Sequence, residues 1–468
     1  MTKIKFLPLA LTISLALTGC AWVPAHYDGL SSDGSPSPEV APRETGSGLG
    51  ENAALESPDV WFSRWHDENL KKVVDSALKN STDIASSLAD LRSARASLIR
   101  TTSTLFPSAE LGADVSRRRQ NHATVKSYSA DASGAWTLSF GGKELAERRS
   151  AAALADAAQL TLEDTRQAVA AEAAGAYVRL ALAKEKLKLA KENESYYRDT
   201  FNLAREQYAA GTIAREDLDS LEAQYHSAAS SASETAQSLL AAQTALAALT
   251  HLPLSGIMAM DPKVIPEPDD GLAARISADA LNNRADVRAA RLAVIAAMED
   301  VSASEAAFLP SLSLTGSFGT AAAALSALGT SGTSLGVLAA GLSVPILNWG
   351  STYASTETQK AALDKAKAKY AGTLFSAAES AENALGAISS SSARRASLVR
   401  AEKSAASANL IATEKYKTGL GDYLSVLETR RSLNNARTSL ASARADRSLA
   451  HIDLYRALGG GWVPLQKE

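Results

Sequence analysis

The feature that most restricts this chain is a seven-residue apolar period sustained far longer than one globular core needs. Val169, Ala173, Ala176, Leu180, Ala183, Leu187 and Ala190 step by four and three. Tyr197, Phe201, Ala204 and Tyr208 carry the seam on past one polar intruder, Glu194. The next segment does the same with Leu218, Leu221, Tyr225, Ala228, Ala232, Thr235, Leu239, Ala242, Leu246 and Leu249. Such a period means helices packed side by side as coiled coils, and alanine in the seam lets their backbones approach closely. The stretch from about Glu144 to Gln207 predicts a helix roughly 95 Å long, at ~1.5 Å per residue. The period alone does not choose between a rod and a tube.

The chain divides into two similar halves offset by about 205 residues, a repeat too long for a solenoid. Phe106-Pro107-Ser108 corresponds to Leu309-Pro310-Ser311, Tyr208-Ala209-Ala210-Gly211 to Tyr416-Lys417-Thr418-Gly419, Leu221-Glu222 to Leu427-Glu428, and Ala248-Leu249 to Ala457-Leu458. We place the first repeat over 59–250, a proline-rich linker over 251–275, the second repeat over 276–462 and a tail over 463–468. Each repeat reads as helix, two strands, long helix, helix.

The strands favour a tube. Ala109, Leu111, Ala113 and Val115 alternate with Glu110, Gly112, Asp114 and Ser116, and a second run does so from Tyr128 to Phe140. Leu312, Leu314, Gly316 and Phe318 alternate with serine and threonine, and Leu338, Ala340, Leu342, Val344 and Ile346 share a face. Alternation of apolar and small polar residues over about ten positions is the mark of a membrane β-strand. Strands are expected over 106–118, 127–140, 309–319 and 336–347. Leu111, Val115, Trp136, Leu138, Leu314, Phe318, Leu342 and Val344 are expected to face lipid. Phe106, Trp136, Phe140, Phe318 and Trp349 suit an interfacial aromatic belt. The alternative is a pair of soluble hairpins packed on the helices. From Ala306 to Thr356 there is no charge, but Pro310, Pro345 and several glycines break the stretch, so it reads as a strand pair and not as a spanning helix. Four strands cannot close a barrel, and an open edge cannot face lipid. Two copies would give about eight strands with a filled interior, whereas about twelve, from three copies, leave room for a lumen.

The amino end carries its own instruction. Lys3 and Lys5 precede an apolar run from Phe6 to Leu17, which ends in Leu17-Thr18-Gly19-Cys20. Residues 1–19 read as a lipoprotein signal peptide, with Cys20 the lipid-attachment residue of a strap over 20–58. The Leu17-Thr18-Gly19-Cys20 run resembles the lipobox of bacterial lipoproteins, and by the sorting rule of that class Ala21, standing where an aspartate would favour retention at the inner membrane, implies transfer to the outer membrane. A net charge of -3 gives no footprint for nucleic acid. The six histidines are scattered without ligand spacing, and no metal, cofactor or catalytic motif is found. Met258 and Met260 read as packing in the linker. The chain is not expected to be an enzyme.

The element order, the lipobox and the closing run Leu454-Tyr455-Arg456-Ala457-Leu458-Gly459-Gly460-Gly461-Trp462 resemble the TolC-type outer membrane factors, especially the lipoprotein branch that serves resistance-nodulation-division pumps. The resemblance covers about Trp61 to Trp462. It implies a mainly α protein with a small membrane β-sheet: a homotrimer whose twelve-stranded barrel, four strands per chain, is continued by a coiled-coil α-helical barrel through the periplasm. The implied partners are outer-membrane lipid, a periplasmic adaptor protein and an inner-membrane pump. Two helix turns would be the adaptor-docking tips, Gly211 with Leu218 and Glu222, and Gly419 with Asp422. Leu424, Glu428 and Arg431 match the family's periplasmic gate, with Glu428 where an aspartate is usual. The chain departs from the branch in Ala21 to Gly29, which lacks a Pro-x-Tyr-x-Arg-Pro pattern, and in an Ala- and Gly-rich loop from Thr320 to Gly336. The function so implied is a passive efflux duct for small molecules. A protein secretion channel of the same fold and a lipid-anchored structural coiled coil are the alternatives. Genomic neighbours separate the first two: a proton-driven pump with its adaptor, or an ABC exporter with its substrate.

The lipobox makes a direct prediction. Cys20→Ser abolishes labelling of the protein by a fatty-acid probe in growing cells, while oligomer assembly persists. Equal labelling of parent and variant would remove the lipoprotein assignment.

Overall fold

The computed structural model describes residues 62, 65–120, 123–260, 262, 264–268, 281–346 and 349–460. Cys20, the strap over 20–58, much of the linker, Trp462 and the tail over 463–468 lie outside them. Helices α1 (Glu68–Asn80) and α2 (Thr82–Ser103) lead into strands β1 (Ser108–Gln120) and β2 (Ala123–Ser139). Helices α3 (Lys143–Ala209) and α4 (Arg215–Thr250) and a short α5 (Leu254–Ala259) follow. The order then recurs as α6 (Ala285–Ala306), β3 (Ser311–Ala322), β4 (Ser334–Ser343), α7 (Trp349–Lys417) and α8 (Tyr423–Ala457). At ~1.5 Å per residue, α3 with 67 residues and α7 with 69 are each about 100 Å long.

The heptad seam becomes the core where several helices meet. Val169, Ala173, Ala176 and Leu180 of α3 are buried with Leu246 of α4 against Leu70, Val73 and Val74 of α1. A run of small residues, Ala170, Ala171 and Ala173 to Ala176 with Gly175 among them, interrupted only by the exposed Glu172, lets α8 approach through Ala441 and Ala445. Asp67 fastens α1 at this level. Its carboxylate accepts from the Asn69 and Leu70 amides at the helix start (2.8 and 3.2 Å) and from the Tyr177 hydroxyl of α3 (3.0 Å). Farther along α3 the seam shifts, and Leu189 is buried in place of Leu187 and Ala190. A helix of ~3.6 residues per turn drifts against a seven-residue repeat, and the neighbour changes along its length.

The closing Leu-Tyr-Arg-Ala-Leu-Gly-Gly run has an architectural cause. Leu454, Tyr455 and Ala457 are buried, and α8 ends on Gly459 and Gly460 at φ 81° and 60°. A Cβ on Gly459 would come within 2.8 Å of Arg284, and one on Gly460 within 2.9 Å of Gln167. Only glycine fits there on both counts. The linker is pinned nearby by one carboxylate shared among three arginines. Glu267 meets Arg395 of α7 at 2.7 Å and Arg444 and Arg447 of α8 at 3.4 and 3.3 Å.

The four strands form one antiparallel sheet in the order β1-β2-β3-β4. The observed bounds differ from the expected ones in a consistent way. β4 stops at Ser343, so Val344 and Ile346 lie beyond it. Pro345, with no amide to donate, lies two residues past Ser343. β2 starts at Ala123 and β1 runs to Gln120, because their hairpin continues pairing past the apolar alternation. Register confirms the phase. Leu111, Ala132, Phe318 and Gly336 lie in one row, Ala109, Gly134, Gly316 and Leu338 in the next, and Trp136, Leu314 and Ala340 in the one after. The other face carries Glu110, Asp114, Asp131 and most of the serines and threonines. From Leu138 to Tyr128 the apolar face runs ten residues, roughly 34 Å along the strand and about 25 Å if the strands tilt by ~40°. That equals the height of the apolar band on a membrane barrel, about 25 Å.

The described chain leaves much apolar surface open. Every residue of β4 is exposed, and Leu111 is 85% exposed. Along α7 only seven of 69 residues are buried, while Phe375, Leu410 and Ile411 stand exposed. No helix among the described residues is long and apolar enough to cross a membrane.

The two faces can be told apart by charge insertion. Leu111→Arg, near the middle of the apolar face, costs about 2–4 kcal/mol, and Ser133→Arg, opposite Glu110 on the polar face, costs much less. The check is the yield of heat-modifiable oligomer in outer-membrane fractions. Equal losses would mean that the phase is reversed or that the sheet does not meet lipid.

Candidate functional site

Two places in the fold suit a conduit: the paired helix turns and the polar face of the sheet. Both turns are built alike. After α3 the Gly211 amide donates to the Tyr208 carbonyl and the Thr212 amide to the Gln207 carbonyl, both at 2.9 Å. After α7 the Gly419 amide donates to Tyr416 (3.0 Å) and the Leu420 amide to Lys415 (2.9 Å). These paired bonds close a helix through a left-handed residue, and Gly211 and Gly419 supply it at φ 71° and 73°. Asp422 starts α8 by accepting from the Ser425 amide at 2.9 Å, so its carboxylate is engaged in the turn.

Beneath the turns the two hairpins share a small core. Tyr197, Ala204, Leu218, Leu221 and Ala228 of the first hairpin are buried together with Leu427 of α8. Leu218, expected as a docking residue, is turned inward in this chain and joins the two hairpins. Glu222 is exposed one turn away. Leu424, Glu428 and Arg431 are all exposed, and their spacing of four and three puts them along one stripe of α8, opposite the buried Val426. Leu424 is 63% exposed, an apolar side chain facing away from its own chain. Asp219, an acid of the neighbouring α4, is held by Arg215 at 2.8 Å and not by Arg431. Arg431 instead stands near Tyr197, where it draws the hydroxyl pKa down against the larger upward push of burial.

The sequence reading missed an aromatic group at this level. The Arg430 guanidinium lies 4.4 Å above the Tyr196 ring, Tyr423 packs against Tyr416 at 5.3 Å, and Phe201 stacks on Tyr225 at 6.0 Å. Burial raises the Tyr423 and Tyr196 hydroxyls above the usual tyrosine range. The available signal was the run of tyrosines in or beside the seam, which read as packing alone.

On the polar sheet face the acids gather around Asp131. It lies between Gly112 of β1 and Gly319 of β3 in register. A Cβ on Gly319 would come within 2.6 Å of the Ala130 carbonyl and the Asp131 Cβ, and one on Gly112 within 3.1 Å of the Asp131 Oδ1, so the two glycines make room for this side chain. Glu110 and Asp114 flank the same row. A groove of about 260 Å³ on this face is lined by Ser108, Glu110, Ser133, Thr315 and Ser317. Carboxylates and hydroxyls on one side of a sheet make a wettable wall that favours cations.

Comparison with known proteins agrees with this geometry. The profile of the outer membrane efflux protein family matches residues 73–251 and 276–460. The chain is 29% identical to outer membrane protein OprJ of Pseudomonas aeruginosa, over 99% of this chain and 97% of that one. It is 26% identical to the cation efflux system protein CusC of Escherichia coli, over 76% and 77%. Among solved structures, the outer-membrane channel OprN superposes with a TM-score of 0.81 at 25% identity, covering 92% of this chain and 98% of that one. The match spans both halves, most of the chain, and the chain belongs to the outer membrane efflux protein family.

Proposed function

We propose that three copies of this chain form a passive duct in the Gram-negative outer membrane. It carries small molecules outward from an inner-membrane pump of the resistance-nodulation-division type and its periplasmic adaptor. The observation that carries the reading is a four-stranded sheet with one apolar and one polar face, whose helix-side end continues into helices that bury little of themselves. The sheet supplies a third of a barrel with a wet interior. The exposed flanks of α7 supply surface for neighbouring copies. A lipid on Cys20 adds a second attachment, since one acyl anchor holds only moderately. The duct performs no chemistry of its own, in keeping with a family of outer membrane channels.

The tip is the gate in this reading. Three Leu424 side chains make an apolar ring, and three Glu428 carboxylates an acidic ring about one turn away. A narrow apolar ring resists wetting, and a carboxylate ring selects cations. The small shared core and the Arg430–Tyr196 contact hold the two hairpins of one chain together. Contacts between chains, each worth about 1 kcal/mol or less at an exposed site, keep the ring shut until an adaptor that prefers the open state binds.

Planar-bilayer recording tests this. Leu424→Ala combined with Glu428→Ala is expected to raise single-channel conductance several-fold and weaken cation preference, and cells carrying it should admit bulky antibiotics. Wild-type conductance and selectivity in the double variant would return the turn to a plain hairpin. No conductance from either protein would defeat the duct itself.

A further inference from the structure

The apolar face of the sheet ends in cations. Along β1 and β2, on that face and in order away from the helices, come Leu111 with Ala132, Ala113 with Ala130, and Val115 with Tyr128. Beyond them Arg117 is paired across the strands with Lys126, and then Arg119 with Thr124. Arg117, Arg119 and Lys126 are all exposed. The hairpin that carries them runs on past the end of β3 at Ala322, so they stand proud of the rest of the sheet.

Two features show that this is more than a solvated turn. Like charges directly across an antiparallel pair are destabilising, yet Arg117 faces Lys126. No acid falls on this face in any of the four strands; Glu110, Asp114 and Asp131 all fall on the other. The cations therefore lack a carboxylate among their own face's strand neighbours. Their height is also specific. They begin directly above Tyr128, where the apolar band of about 25 Å ends and a bilayer's headgroups begin.

We propose that Arg117, Arg119 and Lys126 form a binding surface for the phosphate groups of an anionic glycolipid in the outer leaflet. Arginine matches phosphate with paired N–H groups, and lysine adds a mobile point charge. A phosphate between Arg117 and Lys126 turns their repulsion into attraction. The hairpin ends lie opposite the helices, so the leaflet is the outer one. Three chains would carry nine such cations as a collar. The inference rests on the sheet lying in the membrane.

The test uses full-length protein reconstituted in phosphatidylcholine vesicles, with either bisphosphorylated lipid A or its dephosphorylated form added. Lipid retained after detergent extraction is counted by native mass spectrometry. The phosphorylated form is expected on the wild type, and millimolar inorganic phosphate should not displace it. The triple variant Arg117→Gln, Arg119→Gln, Lys126→Gln should retain about a hundredfold less, at roughly fivefold per cation near an anionic lipid surface. Arg118→Gln, on the polar face, should retain the wild-type amount. Equal retention by the triple variant, or an equal loss with Arg118→Gln, overturns the proposal. If the triple variant fails to assemble, the wild type alone decides, because equal retention of the two lipid A forms also overturns it. Displacement by inorganic phosphate would mean a free-anion site and no lipid surface. Failure to float with plain phosphatidylcholine vesicles would defeat the membrane sheet itself, a separate outcome.

Discussion

An unpaired row of backbone amides and carbonyls cannot persist in hydrocarbon, where each unsatisfied group costs several kcal/mol. Strands β1 and β4 are the edges of a four-stranded sheet whose apolar face has the height of a bilayer core. Everything else in the account follows from that conflict. Either the sheet is not in a membrane, or the β1 edge of one copy meets the β4 edge of another until no edge remains. Closure needs enough strands to leave a lumen, and the acids and hydroxyls of the polar face then become its wall.

The helices carry the same incompleteness. Helix α3 buries long stretches because α1, α4, α6 and α8 crowd against it, and Ala170 to Ala176 let them approach. Helix α7 has its main partner in α8 and buries little. A surface like that of α7 leaves room for neighbouring copies, so in the proposed trimer sheet closure and helix packing call for the same assembly. Within one chain, Glu267 with its three arginines and the Gly459–Gly460 cap against Arg284 and Gln167 lock the shorter segments onto the long helices. The tip differs. Its aromatic group is smaller and partly exposed, as suits the gate proposed above.

What the sequence showed and hid has physical causes. The phase of the strands was legible because a period of two leaves only two choices, and Leu111, Leu314 and Leu342 made the same one. Strand ends were less legible. The cationic end of the β1–β2 hairpin masked the alternation, and Pro345 ended β4 earlier than its apolar run suggested. The turns at Gly211 and Gly419 were legible through glycine itself, whereas the inward direction of Leu218 was not, because its partner Leu427 lies in the other hairpin. The Glu267 clamp was out of reach for a similar reason. It joins residues about 130 to 180 positions apart, and long-range ion pairs leave no local periodicity.

The central claim is that the four-stranded sheet is one third of a closed barrel. Native mass spectrometry of the full-length protein, released gently from lipid nanodiscs, tests it most directly. The account predicts a dominant species of three chains that converts to single chains only on unfolding. A monomer or a dimer as the dominant folded species would contradict it.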